Sequence, residues 1–418
     1  MHPSIRPLLC LLFIAFAQSA PAEELGASLD GLLAYAREHN PELRMRASEA
    51  SALHAGIEAA SALPDPSFQL ELMDFTNAAT NGSLSLLPGG VGVTRYLISQ
   101  PLPFFGKRDL RGQIARHQAE QGDAQHDATW LEVEGRIRSA YARYYRAAEQ
   151  ARILTETREL LGNMERLIVT RYGVGLVPQQ DALRAQSEIT AVRVELIEAE
   201  QSRRTAMTAL NTLLPRAADA PLAAPRRPAI PAAVPGLGSL IETVAEHAPE
   251  VARDRAAIDA ARGTKSLTLR DRYPDFEVGL RDTRPRDGVG SWDVMLTMTI
   301  PLQQSARRSR EAEAEHRLGA AQAALEATRT SIEGRLGEAY AGLTSNLDKA
   351  GLMRGTLLPQ AEATLKSARA GYETGQVDFA TLIEAQRQIL RARLALLDAE
   401  VETAQRVVEI ERLTGTKL

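Results

Sequence analysis

Residues 32–72 read LLAYAREHNPELRMRASEASALHAGIEAASALPDPSFQLEL, and residues 240–280 read LIETVAEHAPEVARDRAAIDAARGTKSLTLRDRYPDFEVGL. Glu38-His39, Pro41-Glu42, Pro66 and Phe68 of the first stretch recur as Glu246-His247, Pro249-Glu250, Pro274 and Phe276, each 208 residues further on. Gln100-Pro101-Leu102 is matched by Ile300-Pro301-Leu302. Tyr172, Gly175 and Val177 are matched by Tyr372, Gly375 and Val377, now 200 residues on. A repeat of half the chain, with its segments in the same order, is a two-fold internal duplication. A solenoid would repeat in units of roughly 20–50 residues.

Composition narrows the function classes. At 418 residues the chain is long enough for two or three ordinary domains. A formal net charge of −4 offers no basic excess for nucleic acid. Aromatic residues make up only 5%, so packing falls to Ala and Leu at helix interfaces. His2 and Arg6 precede an apolar run from Leu8 to Ala17, and Ala20-Pro21-Ala22 fits a small-x-small cleavage site, which predicts an export signal over residues 1–22. The run is too short to span a bilayer, which takes ~20 residues. Cys10, the one cysteine, falls inside that signal, so the expected mature chain has no disulfide, no Cys-based metal site and no lipid anchor. The chain carries no phosphate loop, no arrangement resembling a catalytic nucleophile and no metal-ligand cluster. His117, His126 and His316 belong to no pair at i, i+4 spacing. No cofactor and no enzymatic activity are expected.

Most of the chain has helical periodicity. Ser28 and Ser239 are candidate N-caps of short opening helices. Pro41 and Pro249 then mark new helix starts, because proline fits the first turn of a helix and not its middle. These second helices should run to about Leu63 and Arg270. From Lys107 to about Tyr172 no proline interrupts an Ala-, Glu- and Arg-rich run, which as helix would be about 100 Å long. Arg307 to Tyr372 is its counterpart, with a bend expected at Pro359. Each is followed by a Gly-containing turn and a return helix, about Pro178 to Leu214 and Phe379 to Leu413. In the last helix Ile383, Leu390, Leu397 and Ala404 are seven apart, and Leu394, Val401 and Val408 form a second row, as in a coiled-coil seam. The expected organisation is a first repeat over residues 23–214, with a long hairpin over 107–214, and a second over 239–418, with its hairpin over 307–413. The Pro/Ala-rich linker of residues 215–238 is too rich in proline for helix or sheet interior.

Four short segments have a period of two. Phe68, Leu70 and Leu72 alternate with Gln69, Glu71 and Met73; Phe276, Val278 and Leu280 alternate with Glu277, Gly279 and Arg281; Val294, Leu296, Met298 and Ile300 alternate with polar neighbours. Residues 91–100 alternate poorly. The segments form two strand pairs, about 68–100 and 276–302, joined by polar, Gly-containing loops over residues 76–90 and 282–290. An apolar face of four strands packs on helices in a soluble α+β protein, or faces lipid in an outer membrane with its polar side toward water. The export signal and the length of the flanking helices favour the membrane. Open sheet edges cannot sit in lipid, so the sheet must close with copies of itself, and three chains supply twelve strands.

His39-Asn40-Pro41-Glu42-Leu43, the strand exit Ser99-Gln100-Pro101-Leu102-Pro103-Phe104-Phe105-Gly106-Lys107-Arg108, and the turns Tyr172-Gly173-Val174-Gly175-Leu176-Val177 and Gly371-Tyr372-Glu373-Thr374-Gly375-Gln376-Val377, in this doubled order, resemble the TolC-type outer-membrane efflux channels, the outer membrane factors. The resemblance covers essentially the whole mature chain. The Pro-Phe-Phe-Gly-Lys-Arg exit is most similar to the CzcC- and CusC-like heavy-metal branch. The resemblance implies a mainly α fold with a membrane β part: a trimeric, twelve-stranded transmembrane β-barrel continuous with a long periplasmic α-helical barrel. It implies a passive conduit in a tripartite efflux system, partnered by a periplasmic adaptor and an inner-membrane pump, with selectivity for metals or drugs set elsewhere. A secretion conduit of type I and a periplasmic coiled-coil adaptor are the alternatives. An adaptor should carry one hairpin, where this chain has two.

Site residues follow in part from that resemblance. Val174, Gly175 and Leu176 match a tip motif that meets the adaptor, and Gly375 is the one tip residue kept by the second copy. Asp181 and Glu384 fall where the family places gate carboxylates, and Arg171 and Arg369 are candidate partners for closing contacts. Thr381 stands where some relatives are acidic. Lys107, Arg108, Arg307, Arg308 and Arg310 follow the strand exits. Cations oppose the dipole at a helix start, so either lipid headgroups at the periplasmic face are their partners or they are plain solvated positions.

Overall fold

The computed structural model describes residues 25–78, 83–231 and 233–418. The predicted export signal lies outside the described residues, as does part of the first predicted loop. Helix α1 (Leu29–His39) starts at Ser28, whose hydroxyl accepts the Gly31 N–H. Helix α2 (Pro41–Ser61) is capped by Asn40, which accepts from the backbone N–H groups of Glu42 at 2.9 Å and Leu43 at 3.3 Å, with Pro41 in the first turn where its missing donor costs nothing. The second copy builds the same step with less. Helix α5 (Leu237–His247) begins at Gly236, so Ser239 lies inside the first turn and is not the cap expected of it. Helix α6 (Pro249–Arg270) keeps the proline but has Ala248 where α2 has Asn40, and no side chain caps it.

The long helices dominate the molecule. Helix α3 (Lys107–Gly173) runs unbroken for 67 residues, about 100 Å at the α-helical rise. It returns as α4 (Gln179–Leu213). In the second copy α7 (Gln304–Leu352) passes through a five-residue π-helical turn, Met353–Leu357, into α8 (Leu358–Glu373), and returns as α9 (Phe379–Thr414). Pro359, in the first turn of α8, cannot donate to the carbonyl four residues back. The widened turn before it, in which the Leu358 N–H reaches the Met353 carbonyl, carries the chain past that gap.

Five apolar clusters among the described residues hold these helices, and the three largest show the plan. Near the hairpin turns Leu154, Leu161 and Ile168 of α3 meet Ile189 of α4 and Phe379 and Leu382 of α9. Farther back α1 seats Leu32 and Leu33 against Ile137, Tyr141 and Leu210, and α5 seats Leu240 and Val244 against Leu336, Leu343 and Ile410. The short opening helices therefore occupy equivalent places on the two hairpins. Along α9 the seam residues Ile383, Leu397, Val401, Ala404 and Val408 are buried. The linker lies along α3: its Ala223 and Arg226 N–H groups donate to Leu25 and Ala27, and the Tyr141 and Tyr144 hydroxyls donate to its carbonyls.

Strands β1 (Ser67–Met73), β2 (Val93–Leu102), β3 (Phe276–Pro285) and β4 (Ser291–Met298) form one antiparallel sheet in the order β1-β2-β3-β4. The two strand pairs thus join through β2 and β3. Strand β3 extends to Pro285, four residues beyond the alternation that announced it, because Asp282 and Arg284 pair with Tyr96 and Thr94 of β2. Strand β4 ends at Met298, leaving Ile300 outside.

Candidate functional site

Register fixes which side chains share a face of the sheet. Phe68, Ile98, Leu280 and Val294 lie in one row across the four strands; Leu70, Tyr96, Asp282 and Trp292 lie in the next, and Gln100, Val278 and Leu296 in the row on the other side. This face is apolar and uncovered: Phe68 is 65% exposed, Trp292 67%, Val294 78% and Leu296 71%. A contiguous apolar surface of this kind marks contact with lipid or protein. The opposite face carries Gln69, Glu71, Arg95, Ser99, Glu277, Arg281, Thr283, Asp293 and Thr297. Glu71 stands opposite Arg95 with 3.4 Å between their charged atoms, and Arg281 stands opposite Asp293. One face suits hydrocarbon and the other suits water, the division a membrane β-barrel requires. Strands β1 and β4 are unpaired edges within the chain. No helix among the described residues is long and apolar enough to cross a membrane.

The junction of sheet and helices corrects one expectation. Lys107 does not await lipid headgroups. Its side chain is buried, and its ammonium lies 3.2 Å from Asp271 and 3.0 Å from Asp275. Burial pushes the Asp275 carboxyl up, but the Phe104 N–H and the Lys107 ammonium outweigh it and hold the group below the usual carboxylate range. The unfavourable cation at the start of α3 is offset by two carboxylates from the other copy. Arg108 donates through Nε to the Ser61 carbonyl, and buried Arg307 donates to the Pro301 carbonyl. Arg308 is exposed. Phe104 stacks on Tyr273 at 4.6 Å, and Arg270 donates to the Phe105 carbonyl. Gly106, with φ of +77°, lets the chain turn into α3 there.

At the far end the two hairpin turns superpose in their bonding. The Gly175 N–H donates to the Tyr172 carbonyl and Leu176 N–H to Arg171; the Gly375 N–H donates to Tyr372 and Gln376 N–H to Gly371. Gly175 and Gly375 have φ of +74° and +76°, the left-handed helix ending that favours glycine. Val174 and Leu176 project into solvent, 67% and 73% exposed.

The four gate candidates are not brought together as charge pairs within the chain. Arg171 lies over the Tyr372 ring and donates to the Tyr372 and Glu373 carbonyls, so the first hairpin clamps the turn of the second. Arg369 pairs with Glu373 one turn on, 3.2 Å away. Glu384 is exposed and pairs with Arg391 and, at 4.0 Å, with Arg387. Burial pushes the Asp181 carboxyl above its usual range, Arg184 opposing and Asp378 adding to the shift. Asp378 caps α9 by accepting the Thr381 N–H at 2.9 Å. Sequence reasoning missed Asp378, although an Asp ahead of an apolar helix is a readable cap. It also missed the Glu188–Arg387 pair between α4 and α9, whose partners are 199 residues apart. No group of three His, Cys, Asp or Glu side chains able to hold a metal ion occurs among the described residues.

A sheet with one wet and one apolar face, continuous with two helical hairpins of this length, has the architecture of an outer-membrane channel subunit. The chain belongs to the outer membrane efflux protein family, whose family model matches residues 32–215 and 240–416. It is similar to the cobalt-zinc-cadmium resistance protein CzcC of Cupriavidus metallidurans, with 25% identity over 412 residues covering 94% of this chain and 92% of that protein. Its fold is similar to that of the outer membrane protein VceC of Vibrio cholerae, with a TM-score of 0.76, 17% identity, and coverage of 93% of this chain and 96% of that one. It is also similar to CusC, with a TM-score of 0.74, 17% identity, and coverage of 93% and 92%. The chain is an outer-membrane efflux channel, and the reading as a single-hairpin adaptor is set aside.

Proposed function

We propose that three copies of the chain close one twelve-stranded barrel in the outer membrane, with the long hairpins forming a periplasmic tunnel below it. The observation that carries this reading is the sheet itself: its apolar face is uncovered, and both edge strands are open. An open edge left in hydrocarbon would strand backbone donors and acceptors at several kcal/mol each. Closure with like sheets satisfies them. The conduit is passive and performs no catalysis. A periplasmic adaptor docks on Val174, Gly175, Leu176 and Gly375, and an inner-membrane pump supplies the energy. The substrates are divalent heavy-metal cations, by likeness to a cobalt-zinc-cadmium resistance protein. Asp181 and Glu384, repeated three times around a narrow bore, attract these cations at the periplasmic end. Arg308 and Arg310 are exposed basic residues left to meet headgroups.

The subunit should fractionate with the outer membrane as a heat-modifiable trimer; a water-soluble single subunit would overturn the reading. Loss of the protein should sensitise cells to cobalt, zinc or cadmium, and unchanged metal tolerance would remove the substrate assignment alone. Glu384→Ala should raise single-channel conductance in planar bilayers. Unchanged conductance would remove Glu384 from the gate.

A further inference from the structure

The loop between β1 and β2 is not the uniformly polar connection that its glycines suggest. Residues 83–90 read SLSLLPGG and contain no charge. Leu84, Leu86 and Leu87 are 67%, 66% and 73% exposed. The stretch of residues 83–90 is pinned and not free to tuck them in. Asn77 donates to the Ser83 carbonyl at 2.6 Å and to the Gly90 carbonyl at 2.9 Å, the Ser85 N–H donates to Phe75, and the Gly90 N–H donates to Leu87. Its position is also fixed. The Gly89 N–H donates to the Thr94 hydroxyl at 3.1 Å, and Thr94 lies on the same face of β2 as Tyr96 and Ile98. Thr94 is nearly fully covered. The loop therefore lies against the apolar face, not over the polar one.

The height of the loop on that face points to its surroundings. The row holding Tyr96, Trp292 and Asp282 ends the apolar band. Arg284 reaches back from the next row to Asp282, 2.8 Å away, and lies over the Tyr96 ring. Aromatic rings beside the first charges are what the boundary of a bilayer selects. The leucines continue the apolar face at and beyond this boundary, on the side away from the long helices.

We propose that residues 83–90 of the β1–β2 loop are a lipid anchor, with Leu84, Leu86 and Leu87 seated in the outer-leaflet boundary of the membrane. The inference rests on the reading of the apolar sheet face as lipid-facing. Non-polar side chains held at such a boundary bind by burial of their apolar surface. The β3–β4 turn reads Arg286-Asp287-Gly288-Val289-Gly290, with two charges and one exposed apolar side chain, Val289, where the first loop has three leucines, and on this proposal it stays in water.

The test uses the full chain with Cys10 replaced and one cysteine introduced at Leu86, at Val294 on the sheet face, or at Asp287 in the β3–β4 turn. Each carries an environment-sensitive fluorophore and is reconstituted into phosphatidylethanolamine/phosphatidylglycerol vesicles with or without brominated acyl chains. The Leu86→Cys label should shift to the blue on reconstitution and lose most of its emission to brominated lipid, as the Val294→Cys label does. The Asp287→Cys label should respond to iodide in the water. A Leu86→Cys label quenched by iodide like that at Asp287→Cys, beside a lipid-quenched Val294→Cys label, overturns the anchor and leaves the channel reading intact. A Leu86→Cys label shielded from both quenchers assigns the leucines to a second copy of the chain and also overturns it. If the Val294→Cys label escapes lipid as well, both readings fall.

Discussion

The two copies share a plan and differ in how they are secured. The first copy begins its long helix at a left-handed glycine beside a buried lysine; the second begins at Gln304, with Ala306 in the place of Gly106. The first runs unbroken for 67 residues, while the second detours through a π turn ahead of Pro359. The first presents Val-Gly-Leu at its tip and the second Thr-Gly-Gln. At the hairpin turns, where the backbone must be left-handed, the copies keep the same residue, Gly175 and Gly375. Where they meet different neighbours they have diverged.

Lys107 and Arg307 occupy matching positions and give the sharpest test of that division. Lys107 is buried between two carboxylates of the other copy, whereas Arg307 donates to the nearby Pro301 carbonyl. Lys107→Met should cost about 3 kcal/mol, the low end for breaking a buried pair, since Asp271 and Asp275 are both partly in water. Arg307→Met should cost about 1 kcal/mol, the value of one hydrogen bond. Thermal unfolding of the two variants measures both, and equal losses would erase the distinction. The pH dependence gives a further check. The folded-state pKa of Asp275 is lowered, so its contribution is present above the unfolded carboxylate value and is lost as pH falls through the folded one. The gap between wild type and Lys107→Met should therefore be full at about pH 6 and narrow below about pH 4.

Gly106→Ala comes next in size. The left-handed backbone alone costs about 1–2 kcal/mol for a residue with a Cβ. The added carbon would also fall 1.7 Å from Arg270 Nη1, forcing that side chain off the Phe105 carbonyl at about 1 kcal/mol more. Ala306→Gly, at the matching place inside α7, should cost about 1 kcal/mol through helix propensity. A Gly106→Ala variant as stable as its Ala306→Gly counterpart would mean the two helix starts are equivalent after all.

These differences also mark what the sequence could tell. The duplication, the helix starts at Pro41 and Pro249 and both hairpin turns were legible, because proline and glycine act on the backbone where they stand. The α9 seam was legible as a seven-residue row. The start of α5 was not, because Gly236 opens the helix without a side-chain cap and Ser239 only imitates one. The outer part of β3 was hidden by Asp282 and Arg284, charges that stay in the strand because they sit where the apolar band ends. The role of Lys107 was illegible for another reason: its nearer partner, Asp275, is 168 residues away in the chain. Local signals predicted the elements and the tip geometry, whereas the junction chemistry depended on long-range pairing.

The tips carry the smallest expected effect on stability. Gly175→Ala and Gly375→Ala should each cost about 1 kcal/mol, because both have positive φ and neither added Cβ meets an atom within 4 Å. Equal folding costs would confirm that the glycines serve one backbone role in both copies. The flanking residues should separate the copies. Val174→Ser and Leu176→Ser replace side chains that are mostly exposed, so stability should move by less than about 0.5 kcal/mol. If the first tip is the stronger docking surface, these two changes should weaken capture of the cognate adaptor by the intact trimer, while Thr374→Ser and Gln376→Ser leave it unchanged. Truncating an apolar anchor at a docking surface costs about 1–2 kcal/mol of affinity, which a pull-down across an adaptor titration resolves. Equal losses from the two tips would mean that the adaptor reads the shared turn geometry and not the Val-Gly-Leu sequence.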